Sequence, residues 1–195
     1  PMTWYPKQFV RVPMTDMRMR ANPLTQYPGR TYKFYRGKKV FEFGHGLSYT
    51  SYSYNFISVP RTNLVINSVG TVKTVKDADN SIIRYAVVSD LESESCTAMK
   101  FSATVGVKKD GEMGGKHAVL LFVRQEKPST GSPIKKLVGF ESVKLEAGNQ
   151  IEMEFEFSPC AHLSCADEDG LMVVEEGVHY LVVGDQEFPI NVHVA

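Results

Sequence analysis

The chain has 195 residues, which is enough for one domain of ordinary size or for one domain with a piece of another. It is 43% hydrophobic and 23% charged, a composition typical of a soluble globular protein and unlike that of a disordered or collagen-like chain. No stretch approaches the roughly 18 apolar residues that a membrane helix needs. The 22 basic and 22 acidic side chains cancel, which removes the simplest argument for binding nucleic acid.

The first fifty residues differ from the rest in charge and in aromatic content. Residues 1–50 carry nine basic side chains against two acids, whereas residues 141–195 carry one lysine against twelve acids. These regions are expected to face different neighbours, unless the contrast reflects two solvated surfaces. Thirteen of the 21 aromatic residues lie between Trp4 and Phe56, and so many rings must be buried against something. Five prolines within residues 1–50 forbid long helices and central strands, so we predict an irregular segment lying against a larger body.

The chain begins with Pro1 and has no initiator methionine. We therefore expect it to be a piece of a longer polypeptide, whose missing part would cover the aromatic segment.

From Tyr52 onward apolar and polar residues alternate, which predicts β-strands. The alternating stretches are residues 52–56, 99–107, 151–157 and 188–194. In residues 151–157 a strand places four apolar side chains on one face and three glutamates on the other, and we interpret the glutamate face as solvated. Pro189 has no N–H to donate, which predicts that the last strand lies at a sheet edge or begins there.

Two nearly continuous apolar runs, residues 82–88 and 118–123, predict strands that are buried on both sides or central in a sheet. Turn-forming residues separate the strands at 110–115, 129–133 and 147–149. Strands of this length and spacing predict an all-β fold, an antiparallel β-sandwich with no helix longer than a turn or two.

A series of ordered motifs resembles the C-terminal part of plant family 3 glycoside hydrolases, closest to the β-D-xylosidase/α-L-arabinofuranosidase branch. In the first fifty residues these are Pro-Met-Thr-Trp-Tyr-Pro at 1–6, Val-Pro-Met-Thr-Asp-Met-Arg-Met-Arg at 12–20, Tyr-Pro-Gly-Arg-Thr-Tyr-Lys-Phe-Tyr at 27–35 and Phe-Gly-His-Gly-Leu-Ser-Tyr-Thr at 43–50. Four later motifs resemble the fibronectin type III-like domain that ends those enzymes: Gly-Lys-His-Ala-Val-Leu-Leu-Phe at 115–122, Leu-Val-Gly-Phe at 137–140, Ser-Pro-Cys-Ala-His-Leu-Ser at 158–164 and Gly-Val-His-Tyr-Leu-Val-Val-Gly at 177–184.

The resemblance implies a domain layout. Residues 1–50 would be the tail of an α/β sandwich domain plus a linker, and residues 51–195 a fibronectin type III-like, immunoglobulin-like β-sandwich. In the family, an upstream barrel carries the nucleophilic aspartate and the α/β domain usually carries the acid/base carboxylate. Both catalytic carboxylates would then lie upstream of Pro1, and this piece would contain no catalytic residue, metal or cofactor.

The resemblance also implies what the parent protein does. It would be a secreted enzyme of the plant cell wall, a retaining glycosidase that hydrolyses O-glycosyl bonds in xylan or arabinoxylan. The partners of this piece would be the catalytic domains of the parent polypeptide, with xylan or arabinoxylan as a further candidate and with neither nucleic acid nor membrane.

The acidic residues of the first segment agree that catalytic groups are missing. Retaining hydrolysis needs two carboxyl groups about 5–5.5 Å apart, and only Asp16 and Glu42 are available here. We expect Asp16 to pair with Arg18 or Arg20, or to cap a turn, and Glu42 to point outward as on a strand.

Three residues of this segment are candidates for substrate binding: Arg18, Arg30 and Tyr32. Arginine donors and aromatic faces suit sugars, so together with Arg20 they would line the outer part of a sugar site. The favoured interpretation is that they seal an interface between domains.

The three cysteines are compatible with a metal site or with a disulfide. Cys160 and His162 would share a strand face, but Cys165 has the opposite parity and a fourth zinc ligand is missing. Because the family is secreted, and secretion permits disulfides, the resemblance implies a bond. With Cys96 expected to begin a strand and Cys160 following the glutamate-rich strand, we predict a Cys96–Cys160 disulfide and a free Cys165. The alternative is three reduced, buried thiols.

Two further motifs are interpreted as structural. His179, in the strand that resembles the penultimate strand of the sandwich, is expected to bond to loop backbone. The glycines at 44 and 46 predict a turn at a domain junction, or a close approach of the backbone to a catalytic pocket.

A different class of function also fits the first segment. Trp4 and Arg30 would then serve as a platform with which a free-standing module binds wall polysaccharide. Loss of polysaccharide binding on substitution of either residue would distinguish this module from a domain clamp.

Overall fold

The computed structural model describes residues 2–68, 72–77 and 79–195. Within them the strands, in chain order, are β1 (Tyr52–Ser58), β2 (Asn63–Ile66), β3 (Lys73–Lys76), β4 (Ile82–Val87), β5 (Phe101–Lys109), β6 (Gly115–Gln125), β7 (Lys136–Leu145), β8 (Gln150–Phe157), β9 (Cys165–Ala166), β10 (Met172–Glu175), β11 (Gly177–Val183) and β12 (Gln186–Val194). The α-helices are short: α1 (Thr31–Phe34), α2 (Ser93–Ala98) and α3 (Pro159–His162). Single 3₁₀ turns occupy Lys7–Arg11, Pro23–Thr25 and Val88–Asp90.

The strands form three sheets. One has the order β1–β5–β8, the second β2–β12–β11–β6–β7, and the third β3–β4–β10–β9. All pairings are antiparallel except β2 with β12, which is parallel. The predicted all-β sandwich is therefore confirmed, with one parallel pair that the sequence pattern did not indicate.

The main core is built by the alternating side chains of the β1–β5–β8 sheet and the β2–β12–β11–β6–β7 sheet. The innermost apolar ones, with no more than 1% of their surface exposed, are Ile66, Ala103, Val105, Val107, Val119, Leu121, Phe157, Leu181, Val183, Ile190 and Val194. Strand β8 shows why the alternation forms a strand: Phe155 and Phe157 are buried, whereas Glu152, Glu154 and Glu156 are exposed. The glutamate face is solvated, as predicted.

The two apolar runs are both central in their sheets. Strand β6 lies between β11 and β7, and β4 lies between β3 and β10. Burial on both sides does not hold for β4, since Ile82 is 72% exposed. The small sheet that contains β4 has one face on the core and one face turned away from it.

Strand β12 neither lies at a sheet edge nor begins at Pro189, contrary to the prediction from that proline. It pairs with β11 along its length and with β2 through residues 191–194. The Asn191 N–H points toward β2, where it donates to Thr62 O at 2.7 Å. Alternate residues point the same way, so the Pro189 nitrogen faces the side beyond the first residue of β2, where no ladder bond is lost.

Candidate functional site: the junction between the N-terminal segment and the sandwich

The N-terminal segment, defined here as residues 2–50, packs many of its aromatic rings against one another. Tyr5 stacks on Phe9 with ring centroids 4.0 Å apart, and the edge of Tyr35 meets Tyr5 at 4.8 Å. Tyr27 and Tyr35 are buried, with 5% and 4% of their surface exposed. Prolines keep the backbone irregular, so these rings rather than a hydrogen-bonded ladder organise the segment.

Asp16 is held by Arg18, one of the partners expected for it. The guanidinium donates through Nε to Oδ1 at 3.0 Å and through Nη2 to Oδ2 at 2.7 Å. These hydrogen bonds from Arg18 lower the pKa of Asp16 to about 2. A proton donor needs a pKa shifted the other way, so Asp16 is unsuited to serve as the acid of a glycosidase.

The candidate sugar-binding residues are engaged inside the segment or at its seam. The Arg18 guanidinium lies 4.6 Å from the ring centre of Tyr27. Arg30 donates to Tyr27 Oη and to Pro13 O, both at 2.9 Å. Tyr32 Oη accepts the Leu137 N–H of β7 at 3.2 Å. The structure does not gather Arg18, Arg30 and Tyr32 into one pocket. Arg18 and Arg30 bond within the segment, and Tyr32 joins the segment to β7.

The seam with the sandwich runs along the start of β7 and the loop before it. The Ile134 N–H donates to Lys33 O at 2.6 Å, and Arg20 Nη2 donates to Ala166 O at 2.5 Å. Glu42 pairs with Lys39 at 3.2 Å and with Lys135 at 3.8 Å. Residues 41–43 therefore do not form the outward-facing strand expected around Glu42; the carboxylate instead bridges the segment and the sandwich.

The turn at residues 43–47 lies against the outer face of β6. Phe43 stacks on Tyr32 at 4.2 Å, and both rings meet the edge of Phe122 at just over 6 Å. Gly44 has φ +86°, and an added Cβ would have to displace the end of the Leu120 side chain. The left-handed backbone is the feature that favours glycine here.

The outward surface of the segment exposes many apolar side chains. It holds eleven of the nineteen large apolar side chains that are exposed among the described residues: Met2, Trp4, Val10, Met14, Met17, Met19, Leu24, Val40, Phe41, Leu47 and Tyr49. Leu47 and Leu24 are 97% exposed and Tyr49 is 94% exposed. A groove of about 480 Å³ opens in this surface, lined mainly by Trp4, Phe9, Val10, Val12 and Met14. Patches of this kind mark interaction surfaces.

The cysteines lie at one end of the sandwich. Cys96 and Cys160 form a disulfide, and Cys165 is a free cysteine. Their surroundings differ from those expected: Cys96 lies in helix α2 rather than at the start of a strand, and Cys160 and His162 lie in helix α3 rather than on one strand face. Burial raises the pKa of the Cys165 thiol, which keeps it protonated.

His179 is fully inside the fold, with 2% of its surface exposed. Its Nε2 lies 2.9 Å from Glu175 O, a contact to the end of strand β10 rather than to a loop. Burial lowers the pKa of His179 below its ordinary value, which keeps the ring neutral. This arrangement fits a structural role.

One polar cluster was missed at the sequence level. The Glu175 carboxyl group is 2% exposed and accepts hydrogen bonds from the N–H and hydroxyl of Ser129. Ser129 Oγ in turn lies 2.8 Å from Ser132 Oγ. The residues come from sequence positions 46 apart, and neither Val-Val-Glu-Glu nor Ser-Thr-Gly-Ser is a recognisable motif.

Within residues 2–68, 72–77 and 79–195, no helix is both long and apolar enough to cross a membrane. In the same residues no three His, Cys, Asp or Glu side chains are grouped so that they could hold a metal ion.

Known proteins resemble this chain both in sequence and in fold. Residues 117–187 match the fibronectin type III-like domain family, which covers most of β6 through the start of β12. A probable β-D-xylosidase 7 of Arabidopsis thaliana is 50% identical over 196 aligned residues, which are all of this chain and 25% of that protein. A β-xylosidase/α-L-arabinofuranosidase 2 of Medicago sativa subsp. varia is 35% identical, again over the whole chain and 24% of the relative.

A solved structure extends the match beyond the sandwich. A GH3 exo-β-xylosidase bound to a xylobiose aziridine probe superposes on all of this chain with a TM-score of 0.69 and 26% identity, using 24% of its own length. Residues 117–187 belong to the fibronectin type III-like domain family, and the whole chain is similar to a region of family 3 glycoside hydrolases. It spans about a quarter of the length of the relatives that it matches. The boundary between residues 50 and 51 remains a prediction.

Proposed function

We propose that this chain is the accessory region of a secreted plant β-D-xylosidase-like glycosidase, and that residues 2–50 dock the sandwich onto the catalytic domains. The observation that carries the proposal is the concentration of exposed apolar side chains in the N-terminal segment. That segment is a quarter of the chain and holds more than half of them. Exposed Leu47 and Tyr49, next to a seam that is already packed, need a covering partner.

The relatives supply the chemistry of that partner. Both plant relatives are named as xylosidases, and each has three quarters of its length outside the region matched here. The groove lined by Trp4, Val10 and Met14 is of a size to receive an apolar side chain or a short helix of such a domain. The parent would hydrolyse O-glycosyl bonds of xylan or arabinoxylan at the plant cell wall, by the retaining route that the family resemblance implies.

This chain alone would not hydrolyse glycosides. Asp16 is locked to Arg18 with its pKa at about 2, and Glu42 is paired with two lysines. Retaining hydrolysis needs a carboxylic acid with a raised pKa close to a carboxylate nucleophile. These two acids do not provide that pair, so the catalytic carboxylates belong to the covering domains.

Association with those domains tests the docking. The catalytic part of the Arabidopsis relative, produced without its last quarter, should bind this chain and co-elute with it in size-exclusion chromatography. Met14→Lys and Leu47→Asp place charge in the apolar surface and should weaken binding by at least about tenfold. Ile82→Asp is the matched control, because Ile82 is 72% exposed but lies on the sandwich. Equal loss with Ile82→Asp, or unchanged binding by the two segment variants, would refute docking through residues 2–50.

A further inference from the structure

A cavity of about 380 Å³ opens on the small sheet β3–β4–β10–β9. Ala86 and Val174, directly paired across β4 and β10, point into the main core. Their neighbours Tyr85 and Glu175, also directly paired, therefore point to the opposite face and line the cavity. The cavity volume lies within the range of about 300–1000 Å³ typical of small-ligand sites.

The floor of the cavity is a fixed, buried carboxyl group. Glu175 is 2% exposed and accepts two hydrogen bonds from Ser129, which is itself 8% exposed. A carboxyl group has about four acceptor positions, so acceptor capacity remains for a ligand. Among the residues that the structure describes, no lysine or arginine forms an ion pair with Glu175. The group is therefore held in place by neutral donors and is not neutralised by a neighbouring cation.

The walls carry both charges and several hydroxyl groups. Arg20 and Lys76 supply donors, and the acidic turn at residues 167–169 supplies acceptors. Tyr85 and Thr130 add an aromatic ring and hydroxyls. The Arg20 guanidinium uses one nitrogen to hold Ala166 O and keeps its other donors. A ligand that fills the cavity therefore meets both hydrogen-bond donors and hydrogen-bond acceptors, and must carry groups of both kinds.

We propose that this cavity binds a short neutral oligosaccharide, whose hydroxyl groups donate to Glu175 and the 167–169 turn and accept from Arg20 and Lys76. A metal ion does not fit, because in the described residues no three acidic or imidazole side chains converge on one point. An anionic ligand meets four acidic side chains, and a cationic ligand meets Arg20 and Lys76. A neutral polyhydroxylated ligand satisfies both kinds of wall.

The test is a titration of the whole chain with xylotriose and with cellotriose, followed by backbone amide shifts in ¹H–¹⁵N NMR and by calorimetry. The expected result is a saturable shift confined to the amides of the lining residues. Lys76→Ala should weaken binding by about fivefold, the effect of losing one hydrogen bond. Lys116→Ala is the matched control, since Lys116 is exposed on strand β6 and does not line the cavity.

Glu175→Gln keeps the shape of the side chain and should also weaken binding. Tyr85→Ala gives a second lining variant should Glu175→Gln fail to fold. No saturable shift with either trisaccharide would overturn the proposal. So would shifts at these amides produced by spermidine or Ca²⁺ and not by the sugars, since these would assign a cation site. Because the titration uses this chain alone, its outcome does not depend on whether residues 2–50 dock to a catalytic domain.

Discussion

The disulfide between Cys96 and Cys160 gives the sharpest test of what stabilises the sandwich. It joins helix α2, which precedes β5, to helix α3, which follows β8, across 64 residues of chain. Closing a loop of that length in the unfolded state is worth about 4 kcal/mol on the chain-entropy estimate. For a domain of this size that corresponds to a fall in Tm of roughly 8–16 °C when the link is removed.

The assay is differential scanning calorimetry of Cys96→Ala/Cys160→Ala against the unmodified chain, both without reductant. Cys165→Ser is the control, since that thiol is free and its loss leaves the loop closed. The double variant should melt at least 8 °C lower by the same estimate, and a reductant should lower the Tm of the unmodified chain and of Cys165→Ser but not that of the double variant. A double variant that melts within about 2 °C of the unmodified chain would show that packing of α2 and α3, and not the link, holds this end of the sandwich.

Three further changes test the fold and the segment. Burial lowers the pKa values of His117, His162 and His179 in the folded chain. The unfolded chain therefore binds protons at a higher pH than the folded chain, and Tm should fall as the pH drops below about 6.5. His179→Gln should reduce this dependence of Tm on pH, whereas His45→Gln, on the exposed surface, should not. Phe157→Ala, at a side chain with 0% exposure, should cost about 3–5 kcal/mol in urea denaturation, whereas Phe140→Ala, at 69% exposure, should change stability by less than about 0.5 kcal/mol; equal costs would place the core elsewhere. Gly29→Ala forces a side chain into a φ of +84° and against Phe34 O, so residues 2–50 should become sensitive to limited proteolysis, while Gly46→Ala, with open space around it, should leave them resistant.

Strands whose buried and exposed faces are set by local alternation of apolar and polar residues were predictable from the sequence. The Ile-Glu-Met-Glu-Phe-Glu-Phe run of β8 assigns each side chain to a face without reference to the rest of the chain. Helix α2 was not predictable, because Ser-Glu-Ser-Cys-Thr-Ala has no apolar period and is fixed by its tertiary position beside Cys160. The parallel pair β2–β12 depends on a four-residue strand whose partner lies more than 120 residues away.

Of the two functional features, the N-terminal surface was indicated by the sequence and the cavity was not. The skew of aromatic and basic residues in the first fifty positions indicated a surface in need of a partner, and the structure leaves that surface uncovered. The cavity around Glu175 was not predictable, because it is assembled from residues 20, 74–76, 85, 129, 130, 132, 165–169, 173 and 175, which form no motif. Such a site follows from the pairing of β4 with β10, which only the fold determines.

Hydrolysis of an aryl β-xyloside is the most direct test of the central claim, that this polypeptide supports glycosidase activity without containing its catalytic groups. The chain should show no turnover by itself, and turnover should appear when it is combined with the catalytic part of the Arabidopsis relative. Turnover by the isolated chain that survives Asp16→Asn and Glu42→Gln would contradict the account.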